Sequence, residues 1–212
     1  MTPRPDLVGP SPSEDDPPPP FNPRPGSIPP TALADWLESR MFEQRIIWIT
    51  GQLDELVATA AATQLMTLDG SGDDPIQLHL SSGDGTLTAA LTLMDTIAAL
   101  GVPVTAVCTG RLEGPALGVL AVAHHRQAAS HSRLRLRDEE IVAQGTAAAL
   151  ARELAQHERQ LQRFIEQLGK ATEQPAERVE IDVASGRYFD VEEALQYHLI
   201  DEIWHGRPQK TG

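Results

Sequence analysis

The sequence predicts an α/β domain built on a parallel β-sheet, and two patterns carry that reading. Short β-branched, apolar runs alternate with longer segments whose apolar and alanine residues recur at helical spacing. Turn clusters rich in glycine, serine and aspartate separate the units, and repeated strand–helix–strand units close with right-handed crossovers into a parallel sheet.

In order along the chain, Thr31 is placed to cap a helix running to about residue 40. Residues 45–50, Arg-Ile-Ile-Trp-Ile-Thr, form a strand that Gly51 ends. A helix covers 53–68, a turn 70–75, and an alternating strand 76–80, followed by the glycine turn Ser81-Ser-Gly-Asp-Gly85. Residues 87–100 are helical, 102–108 form a buried strand, and 115–123 form an apolar helix. Residues 132–137, Ser-Arg-Leu-Arg-Leu-Arg, alternate as a half-exposed strand does. A long helix then spans 147–169, stopped by Gly169. Its leucines and phenylalanine at 150, 154, 161, 164 and 168 follow a seven-residue repeat interrupted by His157, the mark of a helix that packs on another helix. That partner helix is either in the same domain or in a neighbouring molecule. Residues 191–201 close as a short helix leading into a strand at 200–204.

Composition bounds the function. The chain of 212 residues is 41% apolar but only 4% aromatic, so its core is aliphatic. A formal charge of −13 argues against nucleic acid or an anionic membrane as partner, since phosphate binding needs a basic face. The single cysteine, Cys108, lies in an apolar run, where a core role is expected; it fits a reducing compartment. No apolar run reaches the ~18 residues of a membrane span, and the first residues lack the apolar stretch of a signal peptide. A cytoplasmic domain is expected. Twelve of the 17 prolines fall within residues 1–30, which reads as a disordered or polyproline-like arm. The folded domain is expected over 31–205, with a flexible tail at 206–212.

The strand ending Val107-Cys-Thr-Gly110, the turn Glu113-Gly-Pro115 and the helix after it make an elbow of the kind that presents a nucleophile in many hydrolases. Yet no serine occurs between Ser82 and Ser130. Other candidates have plainer readings. The His124–His125 pair is expected at a helix end as a charge partner, because adjacent helical residues diverge by about 100° and chelate poorly. Glu113 reads as a solvated loop carboxylate. Ser81, Ser82 and Thr86 read as turn chemistry, Ser185 has no evident partner, and Asp182 is a possible acid with nothing to orient. No metal site or cofactor is expected.

Seven local patterns occur in register: Arg45-Ile-Ile-Trp-Ile-Thr-Gly-Gln-Leu53, Ser81-Ser-Gly-Asp-Gly-Thr-Leu-Thr-Ala89, Met94-Asp-Thr-Ile97, Val107-Cys-Thr-Gly110, Ser132-Arg-Leu134, Gln144-Gly145, and Asp190 to Asp201. With these the chain, over about residues 36–204, resembles ClpP, the proteolytic subunit of the ATP-dependent Clp protease, within the wider crotonase-like fold. The resemblance implies a serine peptidase with a Ser-His-Asp triad, stacked rings around a chamber, and an ATP-driven unfoldase that feeds it. It makes the long helix a handle between rings, with Leu150, Leu154, Leu161, Phe164 and Leu168 as its oligomer seam.

Carried over residue by residue, the nucleophile position falls on Gly114, the histidine on Arg137, and the aspartate on Gly186. The segment between elbow and strand is about two residues shorter than the family's usual length. The two N–H groups of the oxyanion hole fall on Gly85 and Pro115, and proline has no N–H. Removing one such donor costs about 10²–10³ in rate, and removing triad members costs roughly 10⁴–10⁶. Glycine cannot attack a carbonyl, and an arginine that stays protonated is no base. The family's aromatic rim pocket for unfoldase loops falls on Gln77, His79 and Ala99, and an inter-ring arginine falls on Ser185. The leading expectation is a catalytically inactive structural or regulatory subunit that joins active ClpP paralogues in a mixed double ring, and meets the AAA+ unfoldase indirectly. A crotonase-scaffold domain binding a ligand or acyl group through Gly85 is the second. A serine-type endopeptidase completed by non-standard or borrowed residues is the third.

Overall fold

In a computed structural model of the chain, residues 30–141 and 144–205 are described. The expected arm and tail therefore lie outside the described residues, except that Pro30 already opens the first helix. By contacts the chain divides into Met1–Glu38 and Ser39–Gly212.

The elements are α1 (Pro30–Glu43), β1 (Ile46–Leu53), α2 (Glu55–Asp69), β2 (Ile76–Gly85), α3 (Leu87–Ala99), β3 (Val104–Glu113) and α4 (Ala116–Ala121). They continue as β4 (His125–Ala129), β5 (Arg133–Arg135), α5 (Ala147–Thr172), α6 (Ala176–Ser185), β6 (Tyr188–Phe189), α7 (Val191–Gln196) and β7 (Glu202–Trp204). The helix starts follow from side-chain caps. Asp54 accepts from Val57 N–H, Thr86 from Ala89 N–H and Thr146 from Ala149 N–H. Asp190 and Glu193 form a reciprocal capping box on α7.

Strands β1, β2, β3, β4 and β7 lie side by side in that order, every pair parallel, as the alternation predicts. Beyond Gly110, β3 leaves β4 and pairs in parallel with β5, which in turn pairs antiparallel with β6. The core is aliphatic: Leu65, Leu78, Leu93, Ile97, Leu112 and Leu117 are fully buried. Gly118 on α4 admits α5 closely, since a Cβ there would lie 2.4 Å from Phe164 Cε2 and 2.8 Å from Met94 Sδ. Among the described residues, no helix is long and apolar enough to cross a membrane.

Several boundaries differ from the sequence expectation. Gly51 does not end β1; the strand passes through it with a register shift and resumes against Asp84 and Gly85. The segment read as a turn after β2 likewise stays extended, to Gly85, and β3, expected over 102–108, runs on to Glu113 before the turn at Gly114 and Pro115. Cross-strand pairing there outweighs the turn propensity of glycine and serine. Gly169 does not stop α5, which runs three residues further to a left-handed cap at Glu173. Gly169 serves packing instead, because a Cβ on it would lie 3.0 Å from Gln174 O.

The histidine pair is not a helix end. His124 Nδ1 accepts from Val104 N–H at 3.2 Å, and His125 begins β4 beside Asp201 and Glu202. Next to it, Arg126 grips Asp201 through its backbone N–H and guanidinium, and also bonds the carbonyls of Ala171 and His198. Burial alone would raise the Asp201 carboxyl, but the hydrogen bonds and charge of Arg126, with His125, hold it below the usual range.

Candidate functional site

The elbow joins β3 to α4 through Gly114 and Pro115. Gly114 has φ +62°, a left-handed conformation that costs a side-chain-bearing residue about 1 kcal/mol or more. Its N–H donates to Arg135 O at 3.0 Å, which fastens the apex to the end of β5. Leu134 and Leu136 point into the core, so the arginines at 133, 135 and 137 emerge on the opposite face, beside the elbow.

That register brings the first two expected positions together. A Cβ on Gly114 would sit 3.7 Å from Cγ and Cζ of Arg137. The Arg137 guanidinium then turns toward the glycine turn at the end of β2. Its Nη2 donates to Gly83 O at 3.2 Å and lies 2.8 Å from Asp84 Oδ1, while Nη1 donates to Asp138 O at 3.0 Å. Asp84 Oδ1 also accepts from Gly85 N–H at 2.8 Å. The donor that the resemblance assigns to an oxyanion is thus committed to a carboxylate of the same chain. At the other assigned position, Pro115 occupies the N-cap of α4 and offers no N–H.

The third position lies with a different arginine. Gly186 caps α6 in the left-handed conformation, and its carbonyl accepts from Arg135 Nε at 3.2 Å. A Cβ on Gly186 would meet Arg135 Nη2 at 3.0 Å. Glu113 corrects the solvated-loop reading: it is 9% exposed, with Oε2 3.9 Å from Arg135 Nη1 and 4.0 Å from Arg137 Nε. It is the last residue of β3 and is enclosed by the two guanidinium groups.

The other candidates resolve into structural roles. Ser82 Oγ donates to Asp84 O at 2.6 Å and Thr86 caps α3. Cys108 is fully buried, and burial, weakly opposed by Ser132, pushes its thiol up to about 12. Ser185 does have a partner, donating from Oγ to the Asp182 carbonyl, and Asp182, 4% exposed, takes hydrogen bonds from Arg178, Arg187 and Tyr197 Oη. Burial first, then Asp182, raises the Tyr197 phenol.

His157, which the seam pattern treats as an interruption, is a junction. Its Nε2 lies 2.9 Å from Asp138 Oδ2 and its Nδ1 3.1 Å from Glu139 Oε1. Glu139 Oε2 in turn accepts from Leu87 N–H at 2.7 Å. The segment just after Arg137 is thereby tied to both α5 and the start of α3.

The five seam positions divide. Phe164 and Leu168 are buried in this chain's own core and Leu161 packs against it, whereas Leu150 is half-buried and Leu154 is 54% exposed. The C-terminal part of the seam is thus internal, and Leu150 and Leu154 are the seam positions that this chain's own core does not cover. Of the rim positions, His79 stacks on Trp48 at 4.9 Å between ring centroids and meets Trp204 edge-on at 5.9 Å. The sequence showed the polar residue at this position, but the flanking tryptophans come from two other strands.

A parallel sheet whose strands run past their glycine turns, with an elbow leading into a buried helix, is the crotonase-like fold. Within it the Clp protease family model matches residues 32–207. The chain belongs to the Clp protease family. It is 32% identical over 168 residues to the ATP-dependent Clp protease proteolytic subunit 4 of Rhodococcus jostii (strain RHA1), covering 78% of this chain and 87% of that one. It is also 32% identical over 173 residues to the ATP-dependent Clp protease proteolytic subunit-related protein 2, chloroplastic, of Arabidopsis thaliana. There the match covers 79% of this chain and 62% of the relative's length.

Proposed function

We propose that this chain is a catalytically silent subunit of a Clp-type proteolytic assembly, sharing rings with active paralogues that an AAA+ unfoldase feeds. The observation that carries the reading is the internal closure of the cleft. Asp84 bridges the Gly85 N–H and the Arg137 guanidinium, beside an apex that carries no side chain. A peptide carbonyl entering there would meet a carboxylate where a serine peptidase offers an empty donor. Family membership supports assembly into rings, and the exposed Leu154 with half-buried Leu150 supports a contact made by the start of α5. The acyl-binding reading needs a free Gly85 N–H, and Asp84 holds it. The third reading needs a nucleophile, and Cys108, the chain's one thiol, is buried and protonated.

Co-expression with an active Clp proteolytic paralogue tests this. The expected result is one mixed complex by native mass measurement, in which a fluorophosphonate probe labels the paralogue alone. Labelling of this chain, or its recovery without any paralogue, would refute the proposal.

A further inference from the structure

β1 lies at one end of the sheet. It pairs with β2 alone, and among the described residues no strand lies along its other side. In a parallel ladder the N–H and C=O of one residue point the same way, and that direction alternates along the strand. Arg45 O accepts from Gln77 N–H at 2.9 Å, which turns Ile47 and Ile49 toward β2 in the same register. The backbone groups of Ile46, Trp48 and Thr50 therefore face outward, and none of them has a hydrogen-bond partner among the described residues.

This edge lacks the usual guards. Edge strands are commonly protected by lysine, proline or an inward-pointing charge, but Ile46-Ile-Trp-Ile-Thr50 has none of these. Its regular pairing runs until Gly51, where φ is +83° and the register against β2 shifts. Ile47 and Ile49 are buried, whereas Trp48 is 51% exposed and Thr50 is exposed.

We propose that this edge binds a second copy of the same strand, antiparallel, about a two-fold axis through Trp48. The occupant follows from the way the strand matches itself. With Trp48 facing Trp48 of the other copy, Ile47 faces Ile49, Ile46 faces Thr50, and Arg45 faces Gly51. Buried residues then continue the buried face, and exposed residues the outer face. Ile46, Trp48 and Thr50 fall at the hydrogen-bonded pairs of this register, so about six N–H···O bonds form. Trp48, stacked on His79 within its own chain, gains an aromatic neighbour across the strands. Moving the axis by one residue sets Arg45 against Ile49, or Ile47 against the Gly51 bulge. Charge also favours like meeting like here. The chain carries −13, yet between residues 44 and 52 the only charged side chain is Arg45, so the two copies oppose no carboxylates along this edge. The pairing rests on neither a silent cleft nor a mixed ring, and its failure would leave both untouched.

Sedimentation velocity of the purified full chain, from about 1 to 200 μM, tests it, because so short an edge buries little surface and holds weakly. The expected result is a monomer–dimer equilibrium. Trp48→Lys, which opposes two like charges, should weaken it at least about tenfold, and Trp48→Phe should keep it. Leu56→Lys, at an 83% exposed position on α2, should leave it unchanged. Trp48→Cys reads the register. The Cα atoms of a hydrogen-bonded antiparallel pair lie ~5.5 Å apart, within disulfide range, so mild oxidation should give a covalent dimer, and Leu56→Cys should not. Cys108 is buried and stays out of this reaction. A monomer at every concentration, a particle larger than a dimer, equal loss in Leu56→Lys, or no cross-link through Trp48→Cys overturns the proposal. Amide hydrogen exchange on the parent protein decides the matter should Trp48→Lys unfold. The Ile46, Trp48 and Thr50 amides should exchange more slowly as concentration rises, and unchanged rates overturn the pairing.

Discussion

Asp84 and Arg137 are joined across the cleft, with Oδ1 of Asp84 2.8 Å from Nη2 of Arg137 and the same oxygen accepting from Gly85 N–H at 2.8 Å. One carboxylate thus satisfies a backbone donor and a guanidinium that would otherwise be left partly desolvated. Arg137 is 20% exposed and Asp84 39% exposed at the side chain, so the pair is only half shielded from solvent. Replacing Asp84 by Ala should lower stability by about 1 kcal/mol, a modest value because solvent screens the pair. Asp84→Asn should cost less, since its amide oxygen still accepts from Gly85. Urea unfolding of the three proteins checks the order.

Gly114→Ser should not produce peptide hydrolysis. The new hydroxyl would have Arg137 rather than a base beside it, and Pro115 still lacks an N–H. The left-handed φ adds strain of about 1 kcal/mol. Turnover of a fluorogenic peptide by this variant, above that of the parent, would contradict the assignment of the apex.

Gly118→Ala should destabilise the fold by about 1–3 kcal/mol through overpacking against Phe164 and Met94. The change should cost less in a Phe164→Leu background, because the smaller side chain vacates the space the new methyl needs. A double-mutant cycle in urea measures this coupling.

The Asp201–Arg126 pair should contribute stability that depends on pH in a defined direction. The folded-state carboxyl is held below its unfolded value of about 4, so its contribution is complete above that value and is lost as pH falls through the lower, folded one. The stability difference between the parent and Asp201→Asn should therefore be constant near neutrality and shrink below pH ~4. Chemical denaturation at pH 3 to 7 reads it directly.

Cys108 should resist thiol reagents in the folded protein. Burial pushes its thiol up to about 12, so almost no thiolate exists at pH 8 and the side chain is also inaccessible. A disulfide-exchange reagent should label it fully in urea and barely in buffer. Rapid labelling of the native state would mean the β3 core opens readily.

The parallel sheet and the order of its helices were legible in the chain because apolar period is a local property, and residues 45–123 change period at each boundary. Residue identity alone likewise shows that Gly114 carries no side chain and that Pro115 has no N–H. Strand ends at Gly51, Gly85 and Glu113 were not legible, since neighbouring strands supply the hydrogen bonds that keep glycine-rich segments extended there. β4 was hidden for a related reason: His125-Arg-Gln127 lacks an apolar alternation and is held by β3, Asp201 and Glu202 from distant parts of the chain.

By itself, then, the sequence determined which groups stand at the elbow, a glycine and a proline, and tertiary structure decided which atoms surround them. Asp84, Arg111 and Arg137 lie on three different segments, and no spacing rule links them. A covalent sequence settles which groups exist; where a charge finds its counter-charge depends on through-space distance, and only the packed sheet sets that distance.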